Sequence, residues 1–93
     1  MPKLNPSEIG AAHAAVPAWK LDGSVISRTF EFSDFNDAMR FVNWVAQVAE
    51  EANHHPDIDI RWNRVTLALT THDEGGLTAQ DFAIATRCDK LAS

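Results

Sequence analysis

His54, His55 and His72 are the side chains of this chain best suited to move protons near neutral pH. Imidazole is the one side chain whose ordinary titration falls between pH 5 and 8. The first two stand together in His54-His55-Pro56, and the third follows Thr70-Thr71 and precedes Asp73. Pro56 disfavours helical backbone at His55, so a helix arriving from upstream stops at about His54. His54 then lies at a helix C-terminus, where the macrodipole favours imidazolium by ~0.3–1 kcal/mol. Glu50, one turn earlier, is placed to approach His54 and favour the charged form further. A histidine still protonated near neutral pH can act as a general acid. It can equally be no more than a helix cap. His55 follows in extended backbone, so its ring points elsewhere.

His72 closes a strand that enters a Gly75-Gly76 loop, and polar residues at such a place suit a site at a sheet's end. Asp81 completes Thr78-Ala79-Gln80-Asp81, a capping-box pattern. Capping and orienting a histidine are compatible tasks. His13, in an alanine-rich segment, reads as an ordinary surface residue. Rival chemistries fit less well. Two of the three histidines are neighbours and none is paired at i+4, so the ligand spacing of zinc is missing. Cys88 falls on the apolar face of a helix, where a free thiol is inert. Asp73-Glu74-Gly75-Gly76 lacks the lysine and spacing of a phosphate loop.

The elements that must hold these residues are legible in outline. Ser7 to Ala15 reads as a short helix capped by Ser7 and ended by Pro17. Met1 to Pro6 reads as loose. Trp19–Leu21 and Val25–Phe32 read as strands joined at Asp22-Gly23. Ile26, Arg28, Phe30 and Phe32 share one face of the second. Ser33 or Asp34 caps a long helix to about Asn53, with Phe35, Ala38, Val42, Val45, Ala49 and Ala52 as its apolar stripe. Phe41, Trp44 and Val48 widen that stripe. Either a second copy of the chain or another part of the same chain covers them. A strand at about Asp59–Trp62 turns at Asn63-Arg64 into Val65–Thr71, with Val65, Leu67 and Leu69 inward. Thr78 starts the last helix. The order is α-β-β-α-β-β-α. It predicts an α+β domain with a four-stranded, largely antiparallel sheet and helices on one face.

Composition narrows the classes. Ninety-three residues make one domain, residues 1–93, with no room for a dinucleotide-binding fold beside it. Thirteen acidic residues against eight basic ones give a net charge of -5, which disfavours binding to phosphate backbones. A single cysteine forms no internal disulfide, no apolar run is long enough to span a membrane, and no signal peptide is visible. A cytoplasmic protein is the expectation.

Glu50-x-x-x-His54-His55-Pro56, then Trp62, His72 and Asp81 at fixed gaps, resembles the signature of the pterin-4a-carbinolamine dehydratases. Phe32-x-Asp34-Phe35-Asn36, Leu67-x-Leu69-Thr70-Thr71-His72 and Gly76-Leu77 extend the resemblance from about Trp19 to the C-terminus. It implies a four-stranded antiparallel sheet with three helices on one side. It also implies dimers or tetramers formed through sheet edges and the long helix. The implied reaction dehydrates a 4a-hydroxytetrahydropterin to a quinonoid dihydropterin, recycling the pterin used by an aromatic amino-acid hydroxylase. It needs no metal and no further cofactor. By resemblance, His54 and His72 form the acid-base pair and His55 positions the pterin. Glu50 and Asp81 orient the imidazoles. Thr70, Thr71 and Asp73 hydrogen-bond the ring, and Trp62 is grouped with these substrate-binding residues. The chain departs from common members at Asn53, Ile58, Trp62 and Gln80. Some relatives act as protein partners, so a non-catalytic binding or regulatory module is the alternative reading.

Overall fold

The computed structural model describes residues 2–93. It has helices α1 (Pro6–Ala14), α2 (Phe35–Ala52) and α3 (Ala79–Ala92) and strands β1 (Lys20–Asp22), β2 (Val25–Glu31), β3 (Asp57–Arg61) and β4 (Arg64–Leu69). A short 3₁₀ turn, His72–Glu74, lies between β4 and α3. The four strands form one sheet in the order β1-β2-β4-β3, every neighbour antiparallel. The α-β-β-α-β-β-α order is therefore as the sequence predicts.

Period-2 patterning sets the two faces of the sheet. Ile26, Phe30, Val65, Leu67 and Leu69 are buried beneath the helices. Thr29 and Thr66 lie on the other face and hydrogen-bond across the strands at 2.8 Å. Arg28 explains the broken alternation of β2. It shares the inner face but reaches Asp89 of α3 at 2.6 Å, and its guanidinium lies 4.3 Å from the Phe30 ring centre. Trp19 donates its indole N–H to the same carboxylate at 2.8 Å. It precedes β1 and belongs to the core, only 1% exposed.

Helix α2 packs a somewhat different stripe from the expected one. Ala38, Phe41, Val45, Val48 and Ala49 are buried, whereas Phe35 and Trp44 are 48% and 44% exposed. Phe41 fits between Phe30 and Phe32, with ring centroids 4.7 and 5.0 Å away. Two of the three residues thought to widen the stripe are thus covered by the chain's own sheet and neighbours, and only Trp44 remains open.

Local chemistry moves several boundaries. Helix α1 begins at Pro6 because Asn5 caps it: the Asn5 side chain accepts from Glu8 N–H, and Glu8 accepts from Asn5 N–H. That reciprocal pair outcompetes Ser7. Residues ahead of it are not loose throughout, since Leu4 N–H donates to Leu77 C=O at 2.9 Å and Leu4 packs on the core. Met1 lies outside the described residues. His13 is half-buried rather than a plain surface residue, and its Nε2 donates to Trp19 C=O at 2.5 Å. Strand β3 starts directly after Pro56, so its turn is Trp62-Asn63, with Trp62 in the left-handed region at φ 48°. Strand β4 ends at Leu69, and His72 sits in the 3₁₀ turn, closed by Gly75 at φ 72°. Phe41→Ala should destabilise the fold by about 3–5 kcal/mol, whereas Trp44→Ala in dilute protein should cost under about 1 kcal/mol. Urea unfolding of both variants measures the contrast.

Candidate active site

The site is made where α2 hands over to β3. Asn53 takes the left-handed conformation, φ 49° and ψ 44°, and ends the helix. Its N–H bonds Glu50 C=O at 3.2 Å, and His54 N–H bonds Ala49 C=O at 3.0 Å. This is the Schellman ending, and asparagine is among the few residues besides glycine that adopt it readily. Gln80 of α3 donates to another terminal carbonyl, that of Ala52, at 2.8 Å.

This ending reassigns the carboxylate partners. The sequence reading continued the helix to His54 and placed Glu50 beside it. The left-handed residue instead swings His54 out of helical register towards α3. His54 Nε2 meets Asp81 Oδ1 at 2.5 Å, and Glu50 Oε2 pairs with His55 Nε2. The two pairs differ in kind. The Asp81 side chain is fully buried and that of His54 is 12% exposed. Those of His55 and Glu50 are 55% and 78% exposed. An exposed pair contributes little to stability, while a buried carboxylate must be fully satisfied.

Asp81 is so satisfied. Besides His54 it accepts from Thr71 Oγ1 at 2.8 Å and Thr78 N–H at 2.9 Å. Thr71 spends its one proton on Asp81, so the 3.0 Å contact between Thr71 and Thr78 has Thr78 as donor. The predicted capping box is present, and the same carboxylate also holds His54. With Nε2 committed to Asp81, His54 keeps Nδ1 for other chemistry. His72 is exposed, and its imidazole makes no hydrogen bond among the described residues.

Asn53, His54, His55, Thr70, Thr71, His72 and Asp73 line an open hollow of about 210 Å³. All three singled-out histidines meet there, with Thr70, Thr71 and Asp73. Glu50 and Asp81 stand behind two of the imidazoles. Thr70 is tethered by its hydroxyl, which donates to Ser24 C=O at 2.6 Å. Asn53 was read in the sequence as the approximate end of the long helix and as a departure, yet it also lines the hollow and shapes the chain that forms it. Its position just before the paired histidines was the available signal. Trp62 is elsewhere. It occupies the turn at the far end of the β3–β4 hairpin, on the order of 20 Å of extended chain from His55.

The sequence pattern of the family described as Pterin 4 alpha carbinolamine dehydratase matches residues 2–91. The chain belongs to that family. A relative from Acidobacterium capsulatum that bears the family's name is 56% identical over 91 residues, 98% of this chain and 99% of the relative. One from Thermomicrobium roseum is 48% identical over 93 residues, all of both chains. Among solved structures, the transcriptional coactivator/pterin dehydratase from Brucella melitensis superposes with a TM-score of 0.93 at 35% identity, covering 98% of this chain and 99% of that one. A pterin dehydratase-like RuBisCO assembly factor of the alpha-carboxysome matches at TM-score 0.67 and 24% identity, covering 81% and 87%, which is a likeness of fold alone.

Two features of this family member are set apart from its hollow. Cys88 is fully buried, and desolvation by burial first, then Asp89, pushes its thiol up to about 11. Among the described residues no helix is long and apolar enough to cross a membrane. Cys88 should therefore resist thiol reagents at pH 8 in the native protein and react once it is unfolded in urea. Asp81→Ala should cost about 3–5 kcal/mol by stranding buried donors, whereas Glu50→Gln should change stability by less than about 0.5 kcal/mol. Equilibrium unfolding of the two variants tests this difference between the pairs.

Proposed function

We propose that the hollow dehydrates a 4a-hydroxytetrahydropterin to the quinonoid dihydropterin plus water. The observation that carries this reading is three histidines converging on one open, polar hollow, one of them held by a buried aspartate. Hydroxide is a poor leaving group, so an imidazolium protonates the 4a-oxygen as the C–O bond breaks. The N5 proton leaves to a neutral imidazole as the C=N bond forms. Protons balance, and water is the only by-product. His54, through Nδ1, and His72, through either free nitrogen, act as the pair. Which of them is the acid follows from which face of the ring carries the hydroxyl. His55, braced by Glu50, positions the ring, and Thr70, Thr71 and Asp73 offer hydrogen bonds to its edge. Such general acid-base help is worth ~10²–10⁴-fold. The family match over nearly the whole chain supports the substrate class. It also fits a place in recycling pterin after an aromatic amino-acid hydroxylase.

The protein is proposed to act as a dimer or tetramer in the cytoplasm, with Phe35 and Trp44 on α2 and Ile58 and Ile60 on β3 as uncovered apolar surface. A second reading is a protein-binding module. The exposed flank of α2 supports it, as does the coactivator description of the Brucella relative. Dehydration of a 4a-hydroxytetrahydropterin near neutral pH separates the two. The wild type should exceed the buffer rate, and His54→Ala and His72→Ala should each lower the catalysed rate about 10²-fold. His55→Ala should raise KM more than it lowers kcat. Wild type and variants all running at the buffer rate would leave the binding module as the surviving reading.

A further inference from the structure

His72 has no anchor of its own. It is exposed, and its imidazole makes no hydrogen bond among the described residues. Its place over the hollow is therefore set by the backbone of its turn. Thr71 and Gly76 close that turn by exchanging N–H to C=O bonds at 3.2 and 3.3 Å. Inside it, Glu74 N–H donates to Thr71 C=O at 3.1 Å and Gly75 N–H donates to His72 C=O at 3.0 Å. The incoming arm is fixed through the Thr71 hydroxyl, which donates to Asp81. The outgoing arm, Gly76-Leu77, has no polar side chain to fix it. Leu77 is buried, and its C=O accepts from Leu4 N–H at 2.9 Å. Gly76 is buried too, although Gly75 beside it is exposed.

The side chain lying on Gly76 is that of Lys3. A Cβ at Gly76 would stand 2.9 Å from Lys3 Cε, 3.3 Å from Cδ and 3.4 Å from Cγ. Gly76 does not have a positive φ, so it is the close approach of the lysine, and not the backbone conformation, that suits glycine here. A lysine stem can cover backbone in this way while its ammonium stays in water, and Lys3 as a whole is exposed. Leu4, packed on the core, fixes where the lysine starts.

We propose that Lys3 is a positioning residue for His72: its stem, laid in the space that Gly76 leaves, clamps the outgoing arm of the turn and so holds the imidazole over the hollow. The clamp works by packing, since Lys3 makes no ion pair among the described residues. Its effect on turnover rests on the part given to His72 in the dehydration above.

Two substitutions loosen the clamp from opposite sides. Lys3→Ala removes the stem. Gly76→Ala fills its seat, and the flexible end of the lysine yields before the backbone does. Each should speed amide hydrogen exchange at Thr71, Glu74 and Gly75 about fivefold or more, while Lys3→Met, which keeps a stem without the charge, should stay within about twofold of wild type. In the dehydration assay Lys3→Ala should lower kcat about fivefold and leave KM within about twofold. Added to His72→Ala, it should lower the residual rate no further, as expected of a residue that acts through His72. Unchanged exchange in either alanine variant, or a Lys3→Met chain that exchanges as fast as Lys3→Ala, would overturn the clamp. An undiminished kcat in Lys3→Ala, or an equal further loss in the His72→Ala background, would overturn its link to His72. If the wild type itself runs at the buffer rate, the pterin reading fails, while hydrogen exchange still decides the clamp.

Discussion

The site depends on a carboxylate taken wholly out of water. Asp81 shows no exposed surface, and an uncompensated buried charge costs several kcal/mol. The compensation comes from three separate places: Thr71 in the segment after β4, Thr78 at the start of α3, and His54 just beyond the Asn53 cap of α2. Each donor fixes the position of an element as well as a charge. The carboxylate therefore serves the fold and the hollow at once. It caps α3, anchors Thr71, and fixes the ring plane of His54. A change in any of these elements is felt at His54 Nδ1.

The second constraint is the direction of the chain after α2. One left-handed residue, Asn53, decides which acid each histidine meets. Adjacent histidines in a continued helix would lie about 100° apart around one axis. After the Schellman turn, His54 goes inward to Asp81 and His55 stays at the rim with Glu50. The two neighbours thus acquire different environments. One is screened and rigidly held, and the other is solvated and adaptable. That division matches one imidazole that moves a proton and another that binds.

Much of this was legible in the sequence because it rests on local chemistry. The period-2 run of Val65, Leu67 and Leu69 and the Thr78–Asp81 capping box are formed as read, and the first hairpin turns one residue later than read, at Gly23-Ser24, because Asp22 pairs with Val25. What escaped was decided by competition or by distance. Asn5 outcompetes Ser7 as a cap because Glu8 answers it. Trp62 takes the turn position expected of Arg64 because β3 begins two residues earlier than its apolar pattern suggests. The partner of His54 lies 27 residues away on another helix, and spacing carries no record of that contact. Glu50 was the nearer acid, but one positive φ moved it to the other histidine.

His54 is held through Nε2 by Asp81, and the proposed dehydration requires its Nδ1 to serve a pterin. Long-range ¹H–¹⁵N spectra of the histidine ring nitrogens, recorded while biopterin is added, test this directly. A proton is expected on His54 Nε2 before and after binding, with shifts on addition at His54 Nδ1 and at the ring nitrogens of His72. A proton on His54 Nδ1 alone, or histidine signals that biopterin leaves unmoved, would contradict it.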